Sequence, residues 1–437
     1  MSNAHVYGND LPSRTLYRGF LLLSVLMMGL CLTAPSPGAL ADGFWKILTS
    51  QAGLITDSIL IGGLGAAFFN AGLVLLYCTL LVRRLGLPFT GITVACLFLM
   101  AGFSLFGKDI FNIQPFLLGG WLYAKYKKEP FSKYIYTTLF GTTLSPAASE
   151  VYSIFSGGLA LALMLLVGVG IGFILPAVAA WTVRVHQGYN LYNVGFAAGL
   201  IGLMFASVCK SFGYEFTTWL HWSEGNNRLL APWLAGIFLS ILAVGIKNTP
   251  SFQAYFQLRR HSGRLITDFV VLDGLGPALV NMGIMGLIGL VYLLAIGSWL
   301  NGPTIGGLFT ICGFAAFGKH PWNCLPVMAG VVFSACFTVY GLQEPSMVLA
   351  ALFCTGLAPI AGQFGWKWGV VAGMLHASVV LNVGFLQGWL NLYNNGFSAG
   401  LVCIVLVPLI EAVQTSLPRE TEQRRSVWKN FWPRAKK

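Results

Sequence analysis

The chain has 437 residues, of which 56% are hydrophobic and only 9% charged, far below the roughly 25% charged of a soluble domain. Apolar runs of about 16 to 25 residues recur along its length, enough to cross a hydrocarbon core of roughly 30 Å, so the fold class is an all-α polytopic membrane protein. The formal charge of +12 sits in short loops and in a tail holding Arg419, Arg424, Arg425, Lys429, Arg434, Lys436 and Lys437, which suits cytoplasmic loops facing anionic lipid and not nucleic acid.

At the N-terminus, Arg14 and Arg18 precede the apolar run 19–33, and the small residues 34–41 imitate a signal-peptide cleavage site. We read this stretch as an uncleaved first span, because the internal symmetry described below needs one. Apolar runs broken by Gly, Pro and charge predict fourteen segments in all. They begin near 17, 57, 89, 111, 132, 157 and 193, then near 230, 269, 302, 324, 346, 367 and 394. With the N-tail in the cytoplasm, the basic stretches 83–84, 125–133, 184–186 and 259–264 and the C-terminal tail all fall inside. Residues 1–216 then form one half, segments 1 to 7. Residues 217–228, with Trp219 and Trp222, form an outer interfacial stretch, and residues 229–437 form the second half, segments 8 to 14 with the basic tail.

The halves repeat each other. Residues 54–119 lie over 265–330 at a constant offset of 211, with 24 of 66 positions identical. Leu54-Ile55-Thr56-Asp57 recurs as Leu265-Ile266-Thr267-Asp268. Phe106-Gly107-Lys108 recurs as Phe317-Gly318-Lys319, with Asn112 and Pro115 matched by Asn323 and Pro326. Further on, Asn190-Leu191-Tyr192-Asn193 matches Asn391-Leu392-Tyr393-Asn394. The offset falls there from 213 to 201, which we read as a sixth segment about twelve residues shorter than the thirteenth. Seven segments per half is an odd number, so the repeats are expected to be inverted about an axis in the membrane plane.

The Gly-Lys motif is the foremost candidate site. Segment 3 has about 17 apolar residues before Gly107 and segment 4 about 12 after Pro115, both short of a full crossing. Segments 3–4 and 10–11 can therefore form re-entrant hairpins. Gly107 and Lys108 would meet Gly318 and Lys319 near the midplane, each tip followed by a helix start with free N–H groups, making an anion site with Asn112 and Asn323. The plainer reading leaves both lysines in loops at the headgroups. Asn70 and Asn281 lie inside segments 2 and 9, where an amide must find a partner, another helix or a solute. Asn190, Asn193, Asn391 and Asn394 precede Gly/Ala-rich helices that one Asn could cap, leaving another for a ligand. Asp57 and Asp268 follow Thr and suit helix caps. Thr142, Thr143, Ser145 and Thr355 stand before a Pro break where freed carbonyls could coordinate Na⁺, and His376 could relay protons or simply pack. The nine cysteines show no metal-ligand spacing and no nucleotide or catalytic motif occurs, so no metal, cofactor or enzymatic activity is expected.

The duplicated Phe-Gly-Lys-x₃-Asn-x₂-Pro and Asn-Leu-Tyr-Asn patterns resemble a family of bacterial multi-pass membrane proteins with duplicated halves and no assigned activity. The resemblance implies a bacterial inner membrane and this architecture, but no substrate. In architecture alone the chain is similar to the uracil and sulfate transporter fold and to urea channels. The reading that follows is a secondary transporter for a small anionic solute, coupled to Na⁺ or H⁺, in the lipid bilayer with both termini cytoplasmic and with homo-oligomers open. The alternatives are a channel for a small neutral polar solute such as urea, and a membrane enzyme or scaffold.

Overall fold

The computed structural model describes residues 11–155, 157–217 and 220–416. Trp219, the N-tail and the basic tail from Arg419 onward lie outside the described residues. The described residues are 76% helix, with no strand among them. The first half runs α1 (Leu11–Gly29), α2 (Pro37–Thr49), α3 (Ser58–Gly62), α4 (Leu64–Arg84), α5 (Gly91–Phe103), α6 (Gln114–Tyr126), α7 (Ile135–Gly141), α8 (Ser145–Ile154), α9 (Gly157–Val185) and α10 (Asn193–Ser211). The second runs α11 (Asn227–Asn248), α12 (Phe252–Gln257), α13 (Phe269–Leu272), α14 (Leu275–Ala295), α15 (Gly302–Phe314), α16 (Pro321–Ala335), α17 (Pro345–Phe353), α18 (Ala358–Phe364), α19 (Trp366–Leu381) and α20 (Asn394–Ser416). Among the described residues, eight helical stretches are long and apolar enough to cross a membrane, so the protein has multi-pass character.

The breaks follow local chemistry. Asp57 caps α3 and Asp268 caps α13, and Gly63 and Gly274, at φ +82° and +94°, let α4 and α14 start afresh. Between α7 and α8 a 3-10 turn, Thr142–Leu144, precedes Pro146. Cys354–Leu357 does the same between α17 and α18 before Pro359. The sixth and thirteenth segments differ in the opposite sense to the expectation. α9 has 29 residues and α19 only 16, because the falling offset records residues missing from the second copy.

Contacts between the halves come in reciprocal pairs at the repeat offsets. Leu54 N–H donates to Trp389 O at 2.7 Å, and Leu265 N–H donates to Gly188 O at 3.0 Å. Leu191 N–H donates to Gly356 O at 3.0 Å, and Leu392 N–H to Thr143 O at 3.1 Å. Such an exchange is what a two-fold relation between like surfaces produces. Helices α5 and α15 form the centre, with every residue of α15 buried. Gly91 lies against Ala316, Gly102 against Gly306 and Leu105 against Gly302, so the two helices run antiparallel. With 13 residues each they are about 20 Å long at 1.5 Å per residue. Side chains at these glycines would force the backbones apart, since a Cβ on Gly102 would sit 2.9 Å from Gly306 Cα.

Candidate functional site

The Phe-Gly-Lys motif folds as a helix end. In each half the Lys amide donates back to a Phe carbonyl five residues earlier, Lys108 to Phe103 at 3.0 Å and Lys319 to Phe314 at 3.1 Å. The residue before each Lys takes φ +120° at Gly107 and +96° at Gly318, the left-handed turn that favours glycine at a helix C-terminus. One buried asparagine then clamps each turn. Asn70 Nδ2 donates to the carbonyls of Ser104 and Lys108, both at 2.9 Å. Asn281 Nδ2 donates to those of Ala315 at 2.7 Å and Lys319 at 2.6 Å. The side-chain oxygens of both asparagines are buried without a hydrogen-bond partner. Asn112 Nδ2 closes the first turn on Gly107 O at 3.0 Å, joined there by Ser145 Oγ at 3.3 Å, and Asn323 Nδ2 closes the second on Gly318 O at 2.9 Å.

Neither lysine is at the surface, since both are 0% exposed. Lys108 Nζ lies 5.1 Å from the Phe103 ring centroid and 3.5 Å from Met100 Sδ, to which Thr142 Oγ1 also donates at 3.5 Å. Lys319 Nζ lies 4.5 Å over the Tyr192 ring and 5.0 Å from Phe314, and donates to the Tyr192 hydroxyl, which also meets Thr355 Oγ1 at 3.2 Å. No carboxylate pairs with either ammonium among the described residues; the ion pairs Lys133–Glu129 and His261–Asp273 lie elsewhere. Between the lysines the rings are continuous. Phe103 meets Tyr393 at 5.1 Å edge-on, Tyr393 lies 4.6 Å from Tyr192, and Tyr192 meets Phe314 at 5.2 Å. The Tyr393 hydroxyl has no hydrogen-bond partner.

The two tips do not converge. Because α5 and α15 are antiparallel, Leu105 sits at the start of α15 while Ala316 sits at the start of α5, so the tips occupy opposite ends of the pair. The following helix starts are not free either. Asp109 Oδ1 accepts from Phe111 N–H at 2.8 Å and Asn112 N–H at 2.7 Å, and His320 Nδ1 accepts from Asn323 N–H at 3.2 Å. The sequence reading missed Asp109 and His320 because those two positions differ between the copies.

The Asn-Leu-Tyr-Asn motifs cross at the centre. Asn190 Oδ1 accepts from Tyr192 N–H at 2.9 Å while its Nδ2 donates to Gly396 O at 2.9 Å. Asn391 Oδ1 accepts from Tyr393 N–H at 3.0 Å while its Nδ2 donates to Gly195 O at 3.3 Å. Thr143 Oγ1 donates to Asn391 Oδ1 at 3.3 Å. The second asparagines tie back to the preceding helix. Asn193 Nδ2 donates to Ala179 O at 2.9 Å and Asn394 Nδ2 to Val380 O at 3.2 Å. Their oxygens meet His186 Nε2 and Gln387 Nε2, each at 2.8 Å and at equivalent positions. His376 stands apart, its Nε2 3.0 Å from Asn395 Oδ1. Tyr192 and Tyr393, the rings of the site, were signalled by their retention in both copies of the motif, where the asparagines drew the attention.

A family model described as a protein of unknown function (DUF1576) matches residues 36–211 and 247–412, one stretch in each half. The chain belongs to this family. No curated protein and no solved structure matches it. The DUF1576 match falls in two pieces on either side of residues 212–246, in keeping with the duplication read from the sequence.

Proposed function

We propose that this DUF1576 protein is a secondary transporter that carries a small anion across the bacterial inner membrane by alternating access. It would be built of two inverted seven-segment repeats, with both termini cytoplasmic. The antiparallel packing of the equivalent helices α5 and α15 supports the inversion. If they cross the bilayer, the axis relating them lies in its plane. The observation that carries the reading is the pair Lys108 and Lys319, wholly buried at equivalent positions without a carboxylate. A buried ammonium without a counter-charge costs several kcal/mol, and an anionic solute would supply that charge. Since the tips lie at opposite ends of α5 and α15, each lysine would serve its own side, with the Tyr192–Tyr393 pair between them. The carried anion would pass both lysines in series, driven by a Na⁺ or H⁺ gradient.

The test is anion flux in proteoliposomes on solid-supported membranes, with chloride, nitrate, formate, acetate and sulfate, with and without Na⁺ and pH gradients. At least one anion should give a protein-dependent current. Lys108→Met and Lys319→Met should each reduce it about ten-fold to a hundred-fold, the worth of one charge-assisted hydrogen bond. The double variant should be little worse than either single one, because two steps in series fail together. Currents unchanged in both single variants, or passage of urea but of no anion, would overturn the reading in favour of a neutral-solute channel.

A further inference from the structure

The two halves differ sharply at one buried pair. His376 and Asn395 bond to each other in the second half, where the repeat offset of 201 places Leu175 and Val194 in the first. Neighbouring contacts fix that register, since Gly172 packs on Phe116 and Gly373 on Val327, and Gly168 and Gly369 both pack on prolines. The fold is therefore satisfied by an apolar pair at this place, and the polar pair needs another reason.

Asn395 also lines a cavity of about 260 Å³ with Trp389, Tyr340 and Ser346. The side chain is 5% exposed, its oxygen meets His376, and its amide nitrogen has no hydrogen bond. His376 is 0% exposed and its Nδ1 is also without a partner. The cavity stands at the start of the 23-residue helix α20, whose positive dipole end favours negative charge, while its Asn394, Gly396 and Phe397 N–H groups donate to Asn391 O and Tyr393 O. Apart from Asn394, whose amide is spent on Val380 O and Gln387, its remaining wall is apolar, with Leu349 and Val380. Trp389 is a second asymmetry. It holds φ +61°, which bulky residues seldom adopt, where the first half has Gly188. Backbone strain of this kind persists where a side chain is held for a purpose such as clamping a ligand.

We propose that this cavity is a binding site for a small carboxylate with an apolar or aromatic body. The carboxylate accepts from Asn395 Nδ2 at the positive end of α20, while the body lies against Trp389. A volume of 260 Å³ is below the roughly 300–1,000 Å³ of drug-sized pockets and suits a single-ring solute. This rests on the transport reading only in naming the class of anion carried, since binding can be measured without transport.

The probe is benzoate, with benzamide as its uncharged counterpart, titrated by calorimetry and thermal stabilisation against the full chain in nanodiscs. Benzoate should bind and stabilise the protein, and benzamide should bind at least ten-fold more weakly. The double variant His376→Leu with Asn395→Val carries the first half's own pair and should fold as the parent does, but lose benzoate at least ten-fold. Trp389→Gly, again the first half's residue, should also weaken it. Benzamide binding as well as benzoate, benzoate failing to bind, or the double variant binding unchanged would overturn the proposal. Lys108→Met separates the two ideas. If benzoate binding survives in that variant while anion currents are lost, both stand. If the parent carries anion currents but does not bind benzoate, only the cavity assignment falls.

Discussion

The aspartates that open α3 and α13 should set how firmly the halves are joined, and unequally. Asp57 is 0% exposed and accepts three backbone N–H groups, from Ile59 at 3.0 Å, Gly302 at 3.0 Å and Ser223 at 2.9 Å. Two of these lie beyond the first half, at the start of α15 and in the connecting stretch. Asp268 accepts from Val271 at 3.2 Å and, across the halves, from Gly91 at 2.9 Å and Ile92 at 3.2 Å, but it is only partly buried. Hydrogen bonds to a charged group are worth about 1.5–3 kcal/mol each, and buried donors left unmade cost their desolvation. Asp57→Ala should therefore cost about 4–8 kcal/mol, a large share of the roughly 5–15 kcal/mol of a folded domain. Asp268→Ala should cost about 1–3 kcal/mol, since water can reach the exposed donors. Thermal and denaturant unfolding of the two variants in detergent, followed by size-exclusion profile, measures the difference. Equal losses, or an Asp57→Ala protein as stable as the parent, would refute the argument that buried cross-half caps hold the repeats together.

Three other outcomes follow from the same geometry. Tyr192→Phe should destabilise the fold by about 1–2 kcal/mol by removing the partner of Lys319 and Thr355, whereas Tyr393→Phe, whose hydroxyl makes no well-formed hydrogen bond, should cost less in the same unfolding assay. Gly107→Ala and Gly318→Ala should each cost about 1–3 kcal/mol of backbone strain. The second should be worse, because a Cβ on Gly318 meets the Gly263 carbonyl at 2.7 Å while one on Gly107 meets the movable Leu392 side chain at 2.9 Å. Membrane-impermeant thiol reagents should reach Lys127→Cys and Arg260→Cys only from the cytoplasmic side; labelling of either from outside would remove the proposed topology.

Several helix boundaries were legible because they rest on local signals, although eight helical stretches among the described residues, not fourteen, are long and apolar enough to span. Asp57 and Asp268 after Thr, the prolines at 146 and 359 and the glycines at 63 and 274 all act within a turn of the chain. The duplication was legible because 54–119 and 265–330 align without a gap. What could not be read is what depends on distant partners. Nothing near Asp57 announces Gly302, 245 residues away, and nothing near Lys319 announces the Tyr192 ring. Seeing two Gly-Lys motifs suggested a meeting point, but an antiparallel pair of 13-residue helices carries its two ends apart, so the tips fall at opposite ends. The asparagines of both motifs were read as ligand candidates by residue type. Their amides are largely spent on carbonyls, which is the first demand that a low-dielectric interior makes of any amide.

In a duplicated fold, the bonds that recur in both copies are those the architecture needs, and departures from symmetry are where other demands have acted. The closures beside Leu54 and Leu265 show this. The backbone bonds to Trp389 and Gly188 recur, but the cations beside them differ. Arg264 lies 4.5 Å over the Tyr189 ring and its Nε donates to Gln187 O at 2.6 Å, where the first copy has Gly53 and Leu390. A cation–π contact of this kind adds about 0.5–2 kcal/mol and the hydrogen bond about as much again. Beside the Trp389 closure the corresponding cross-half contacts are longer, Lys210 Nζ donating to Phe385 O at 3.2 Å and lying 6.0 Å from the Phe385 ring, and Trp389 lines two cavities. Under the transport reading the Trp389 end is then the easier to part. A two-fold carrier whose ends cost different amounts to open would rest with one side closed, and the shorter Arg264 contacts would make it the Gly188 side.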